Sequence, residues 1–372
     1  MVPHILHIIP SFAHGGVPIR ISYLMNHFHD LAKHSLISTN DDYRCKSRIN
    51  DNVDFTVPDL SSVDQGALPF KIKSYRQFLK QQSPDLILTY SWGALDWALA
   101  HSMGKISRHI HLESGFGPEE AFGTLWKRDL YRRLALRNID GIVVPSQTLV
   151  KICKENWKIP ERKISYIPNG VDCEKYAQAP QENIIPGFIK QDDEVVIGTM
   201  TPLRGEKNLP RMIRAFAATQ KSYPTQKMRL IIMGEGQERA MLEKMITDLD
   251  MQDHIILAGH VEEPAYVLGW LDIYAISSDT EQMPNAVNQA MAAGLPVVGL
   301  DVGDVKHIVS ETNKDYIAPQ NDEAEFISLM EKLVLNGDLR QTIGNSNQQH
   351  VKKTYDQSRM FADYAKIWGI SE

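Results

Sequence analysis

Residues 280–299 read TEQMPNAVNQAMAAGLPVVG, and the fold turns on how this stretch is read. Its pattern predicts a loop, a short helix over Asn285 to Ala293, a turn and a strand. Pro284 sits where a missing N–H is tolerated, Gly294 offers the left-handed stop, and Pro296 bars continuation. Val297 to Leu300 then runs apolar, like a buried parallel strand. Val287, Ala290 and Met291 mark the buried stripe of the helix, while Glu281, Asn285 and Gln289 recur at fourfold spacing on another side. A carboxylate and an amide thus flank a helix N-terminus, whose unpaired N–H groups and partial positive charge suit an anion such as a diphosphate. The same residues also fit an ordinary helix and strand whose polar groups face water.

At 372 residues of ordinary composition, the chain is expected to be globular with two domains. It holds no apolar span of membrane length. The opening MVPHILHIIPSF lacks a basic leader and a small-residue cleavage site, so it is read as a first strand and not a signal peptide. Cys45, Cys153 and Cys173 are widely spaced without metal-binding pattern, which points to free thiols in a reducing, cytoplasmic setting. His4, His7, His14, His27, His29 and His34 crowd the first section without forming an HExxH or similar motif, and no metal site is expected. The net charge of −6 is unevenly shared: the first half is slightly basic and the second clearly acidic. That argues against nucleic acid as a partner and leaves the first domain able to face an anionic surface.

Taken in order, His4 to Ile9 reads as a strand, followed by a loop with Gly15 and Gly16 and a helix to about Phe28. Adjacent glycines let a backbone approach a ligand closely, but this pair is not a GxGxxG fingerprint, so an oxidoreductase loses its main support. Short strands are expected at 35–38 and 53–57, a helix over 71–81, a central strand at 85–89, a helical stretch at 92–103 and a strand at 109–112. That last strand opens into Glu113, Ser114, Gly115, Phe116 and Gly117. Open α/β sheets bind ligands beyond the carboxyl ends of their strands, which puts Glu113 and Ser114 where chemistry can occur. The segment WKRDLYRRLALR, 126–137, interleaves basic and apolar residues; it reads either as a solvated surface helix or as one that docks on anionic lipid. A strand at 140–145, a helix capped by Ser146 and a strand and turn at 164–169 complete a first domain over 1–176.

Residues 177–193, with Pro180, Pro186 and Gly187, read as a linker, and a fresh series of alternating strands and helices occupies 194–355. Its turns carry the polar groups. Arg204 and Lys207 precede a helix, and Gly234 and Gly236 flank Glu235 at the next strand end. Paired cations beside helix N-termini suit a diphosphate whose charge grows as a bond to it breaks.

Together these segments resemble the GT-B glycosyltransferases of family 4. The likeness runs over most of the chain and rests on Pro168 to Asp172, Gly205 to Lys207, Gly234 to Gly236 and, above all, Glu281 to Gly294. The resemblance implies two Rossmann-like domains with parallel sheets facing a cleft, the first completed by a C-terminal helix within 356–372. It implies retaining transfer from a UDP- or GDP-sugar to a glycan or lipid-linked acceptor, without metal or other cofactor, in surface polysaccharide synthesis. It assigns the donor phosphates to Gly15, Gly16 and Lys207 with a nearby arginine, and the transferred sugar to Glu281. Met283, Pro284 and Asn285 would join the donor site, and backbone around Gly259 and His260 would meet the base. Three positions depart from the family pattern. Gln289 stands where a second glutamate would hold the ribose, Pro202 stands where an arginine is usual, leaving Arg204 as substitute, and Ser114 replaces a histidine. His111 or Glu113 then become alternative contacts to donor or acceptor. These departures keep open a degenerate member that binds nucleotide or a partner without catalysis; a phosphorylase would need a pyridoxal lysine for which no signature is present.

Overall fold

The computed structural model describes residues 2–64, 66–116, 118–120 and 123–370. The chain divides into two compact units, one of residues 1–168 and 360–372 and the other of residues 169–359. Gly117, named above with the turn after 109–112, and residues 371–372 of the C-terminal segment lie outside the described residues.

In the first unit the strands are β1 (His4–Ile9), β2 (Lys33–Ser38), β3 (Phe55–Thr56), β4 (Leu86–Tyr90), β5 (Arg108–Leu112), β6 (Gly141–Val144) and β7 (Ile164–Tyr166). All pairs are parallel, in the order β3-β2-β1-β4-β5-β6-β7. The second unit repeats the plan with β8 (Val195–Met200), β9 (Met228–Met233), β10 (Ile255–Gly259), β11 (Ile273–Ile276), β12 (Val297–Leu300) and β13 (Ile317–Ala318), ordered β10-β9-β8-β11-β12-β13. In each sheet the order reverses once, between β1 and β4 and between β8 and β11, so the loops leaving those strands open side by side. Strands buried on both faces need continuous apolar runs, and Ile5, Leu6, Ile8 in β1 and Val196, Ile197 in β8 are fully buried.

The first sheet breaks this rule in two lines of polar side chains. On one face the parallel register sets Ile5 beside His34 and His7 beside Leu88. Alternation then lines up His34, His7 and Tyr90. Their contacts run in series, His34 Nδ1 to His7 Nε2 at 3.1 Å and His7 Nδ1 to Tyr90 Oη at 2.9 Å. Trp368 of the C-terminal helix, Gln357–Trp368, sets its ring against both imidazoles. On the other face Thr89 Oγ1 lies 2.8 Å from His109 Nε2 and 2.9 Å from His111 Nδ1.

Most elements fall where the sequence placed them, including the helix Asn285–Ala292 with Gly294 at φ 78° and the helix over 357–368. Three readings are corrected and a fourth is refined. The segment 177–193 is not a free linker: Ile185 and Phe188 are buried in the second unit's core, and Trp270 Nε1 donates to the Gln181 carbonyl at 2.9 Å. The boundary falls at 168/169 because Val171 and Cys173 are buried there too, and Val171 pairs with Asp356. The strand over 53–57 shrinks to Phe55–Thr56, since only two residues reach β2 at the sheet edge. The basic flank of 126–137 gives Arg132 to the interior and ties Arg128 to Glu120, while Lys127, Arg133 and Arg137 stay exposed. Arg132 is 1% exposed, donates to both oxygens of Glu120 at 2.9 and 2.7 Å, and lies over the rings of Trp92, Phe116 and Trp157.

Candidate functional site

In the second unit the loops after β8 and β11 meet at the switch. Lys207 closes the short helical turn Gly205–Lys207, and its Nζ lies 2.6 Å from Oε1 of Glu281, 74 residues away. Ser278 Oγ donates to the same carboxylate oxygen at 2.7 Å. A frame of bonds holds the two loops in register. Ser277 Oγ donates to the Lys207 carbonyl at 2.9 Å, the Asp279 N–H to the Glu206 carbonyl at 2.9 Å, and Arg211 to both Ser277 O and Asp279. Asn208, in the left-handed region at φ 43°, caps the helix Leu209–Ser222 by accepting from the Arg211 N–H and gives its amide protons to Asp279. Behind Glu281 stands Gly303, at φ 56°, where a Cβ would come within 2.1 Å of the Glu281 carbonyl oxygen; only glycine allows the loops to close here.

The sequence assigned Lys207 and Glu281 to different groups of a ligand; the fold makes them one ion pair. It also alters the reading of the opening stretch. Glu281 lies in the loop, four residues before the helix begins, so fourfold spacing holds only for Asn285 and Gln289. Gln289 is half-buried, and among the described residues its side chain has no hydrogen bond. Asn285 holds the first helical position with its Oδ1 buried and unpartnered. Met283 turns its side chain into the core at 5% exposure, leaving its backbone carbonyl to accept from Asn169 Nδ2 at 3.0 Å. Asn288 Nδ2 donates to the Asn169 carbonyl, so Asn169 braces the entry to this helix.

Arg204 is looser than Lys207, with a side chain 58% exposed and Nη1 3.8 Å from Glu206. Gly234 is needed for packing, since a Cβ there would strike the Thr201 carbonyl at 2.0 Å, and Gly236 would meet that of Leu203 at 2.3 Å. Gly259, at φ 76°, accepts from the Gly234 N–H through its carbonyl at 2.7 Å, and His260 beyond it is exposed. Sequence reasoning missed Asn208, Arg211, Ser278 and Asp279. Their signal was present in proximity to Lys207 and Glu281, but only the β8–β11 adjacency shows that they bond to one another.

In the first unit Gly15 precedes the helix Gly16–His27, extended at φ 177°, where an added Cβ would find nothing nearer than 3.8 Å. Internal packing therefore places no demand for glycine at this position. Glu113 is 1% exposed, with Oε1 accepting from the N–H groups of Ser114 and Gly115. His111 is equally buried, bonded to Thr89 and 3.9 Å from Glu113 Oε2. Neither side chain is open to a ligand as placed, whereas Ser114 is half-exposed and bonded to Arg20. Beside the end of β4 lies an open cavity of about 420 Å³ lined by Leu68, Trp92, Gly93, Asp96, Lys127, Arg128 and Tyr131. Among the described residues no cluster of three or more His, Cys, Asp or Glu is placed to hold a metal ion.

Two doubly wound units of parallel strands define the GT-B architecture. Comparison with known proteins takes this further. Residues 14–175 match the model described as Glycosyltransferase Family 4, and residues 180–350 that described as Glycosyl transferases group 1. The chain belongs to this family of GT-B glycosyltransferases. It is 28% identical over 254 residues to an uncharacterized glycosyltransferase of Methanocaldococcus jannaschii, covering 63% of this chain and 60% of that protein. It is 22% identical over 247 residues to a capsular polysaccharide biosynthesis glycosyltransferase of Staphylococcus aureus, covering 64% of each. The chain thus spans less than two thirds of the length of these relatives. The crystal structure of Anabaena HepE in complex with UDP and glucose superposes with a TM-score of 0.81 at 18% identity, over 99% of both chains, and shares the fold.

Proposed function

We propose that the chain is a retaining glycosyltransferase that moves a sugar from a UDP- or GDP-sugar to a glycan or lipid-linked acceptor in surface polysaccharide synthesis. The observation that supports this most is the Lys207–Glu281 pair at the β8–β11 switch: an ammonium for the departing diphosphate beside a carboxylate for sugar hydroxyls. In the transfer, the bond from the anomeric carbon to the diphosphate breaks while the acceptor oxygen bonds that carbon on the same face. The acceptor's proton passes to the leaving oxygen. The protein's part is electrostatic and positional, carried by Lys207, Arg204 and helix N-termini, with neither metal nor cofactor. Gln289 takes the ribose through an amide that both accepts and donates. The capsular relative named above supports the polysaccharide setting.

A melting panel with UDP, GDP and ADP tests the reading, followed by mass spectrometry of products from the preferred nucleotide's sugars, with and without a chelator. One nucleotide should stabilise the protein, and its sugar should be transferred equally well in chelator. Stabilisation without any product would leave a binding protein, and no stabilisation by any of the three would remove the proposal.

Within 126–137 the lipid side of the proposal rests on the apolar stripe of the helix. Trp126, Leu130 and Leu134 follow at fourfold spacing on the helix Trp126–Ala135 and are 71%, 58% and 46% exposed, with Lys127 beside them. No described helix is long and apolar enough to cross a membrane, so contact would be at the surface. In flotation assays the protein should rise with phosphatidylglycerol vesicles, and Trp126→Ser with Leu130→Ser should abolish this; a wild-type protein that stays at the bottom would end the membrane proposal. Arg132 is no probe for this, since neutralising it breaks a buried ion pair.

A further inference from the structure

Ser114 opens the loop after β5, at the same edge of the first sheet as the Gly15–Gly16 turn. Three bonds define its state. Glu113 folds its carboxylate back so that Oε1 accepts from the Ser114 N–H at 3.1 Å and the Gly115 N–H at 3.4 Å. Arg20, one turn into the helix Gly16–His27 and 8% exposed, donates from Nη2 to Ser114 Oγ at 2.8 Å. A guanidinium has donors only, whereas a hydroxyl has one donor and two lone pairs. Ser114 is therefore the acceptor in that bond, and its own proton is left over. Among the described residues no acceptor takes it. A hydroxyl that accepts a charge-assisted bond is polarised and donates more strongly in turn.

We propose that Arg20 is a positioning residue: acting through Ser114, it holds that hydroxyl as a polarised donor for an oxygen of the sugar being transferred or received. Ser114 alone carries no charge, and Arg20 brings a permanent one to it from another element. The residue is fixed by its place beside the Gly-Gly turn, so the helix that follows the turn also sets the register of the loop after β5. This inference rests on the glycosyl-transfer reading.

The test is a double-mutant cycle with diphosphate release from UDP-glucose, UDP-N-acetylglucosamine and GDP-mannose as the activity readout and melting measured in parallel. Ser114→Ala and Arg20→Met should each lower kcat/KM by about ten- to a hundredfold, the range for losing one charge-assisted bond. The double variant should be no slower than the slower single one, because the two groups act as a unit. Arg20→Lys, which keeps a charged donor, should recover part of the rate. It also serves as the second arm of the cycle if Arg20→Met fails to fold. Equal rate losses from the Arg20 change with either residue at 114, or a fully active Ser114→Ala, would overturn the relay while leaving the transferase reading intact. A wild-type protein that releases no diphosphate from any of the three donors would overturn both.

Discussion

Lys207→Ala is expected to lower diphosphate release by about ten- to a hundredfold, the effect of removing a charge-assisted contact of roughly 1.5 to 3 kcal/mol. The structure adds a second consequence. Without Lys207, the Glu281 carboxylate, 11% exposed, keeps only the bond from Ser278 among the described residues. A charge left so poorly compensated destabilises the loop, so part of the loss would be structural. Removing both charges separates the two effects. Lys207→Met with Glu281→Gln should regain the melting temperature of the wild type and stay inactive, because the fold no longer holds an orphaned carboxylate while the diphosphate still lacks its cation. Unchanged kinetics in Lys207→Ala would show that the diphosphate is bound elsewhere. Recovery of activity in the double variant would show that the pair serves only to join two loops.

Acidification is expected to unfold the first unit through its buried imidazoles. His7 is fully buried, and burial, reinforced by the neighbouring His34 and His4, holds its pKa well below the ordinary value. Burial likewise pushes His34 down to about 4, against an opposing pull from Asp54. Both rings fold in the neutral form. The unfolded chain binds more protons between an ordinary histidine pKa near 6.5 and the depressed folded value, so stability is flat above about pH 6.5 and falls from there towards pH 4. For His34 alone the full loss is on the order of 3 kcal/mol. Trp368 sits against both rings, and Trp270 alone of the six tryptophans lies in the second unit, so tryptophan fluorescence reports mainly on the first. His34→Gln should flatten the pH dependence. A melting temperature that does not move between pH 7 and 4.5 would refute this account.

Periodicity carried the fold well because parallel strands and their helices write themselves as apolar runs. The β8 and β11 segments, the helix at 285 and the final helix were all legible, down to the glycine that ends the helix before β12. What periodicity does not record is adjacency. Nothing in the spacing of Lys207 and Glu281 says that they touch; that follows from β8 and β11 being neighbours in a sheet whose order reverses between them. Nor could composition tell that Arg132 is a core residue while Lys127, in the same helix, faces water. A buried arginine needs a carboxylate and aromatic faces from other elements, and these come from Glu120, Trp92 and Trp157. The misread linker has a similar cause: its prolines and charges look unstructured, but Ile185 and Phe188 anchor it.

Corrected in that way, the boundary has a topological meaning. The second unit runs uninterrupted from 169 to 359, while the first is made of two pieces, one before it and one after. Along the chain, the second unit is an insert within the first. Near its own ends the Val171 N–H donates to the Tyr355 carbonyl at 2.9 Å and the Gln357 N–H returns to the Val171 carbonyl at 3.0 Å, so the insert begins and finishes at one stitched point. Such a unit has the form of a cassette, which a host chain can accept at a single break without rearranging what lies on either side.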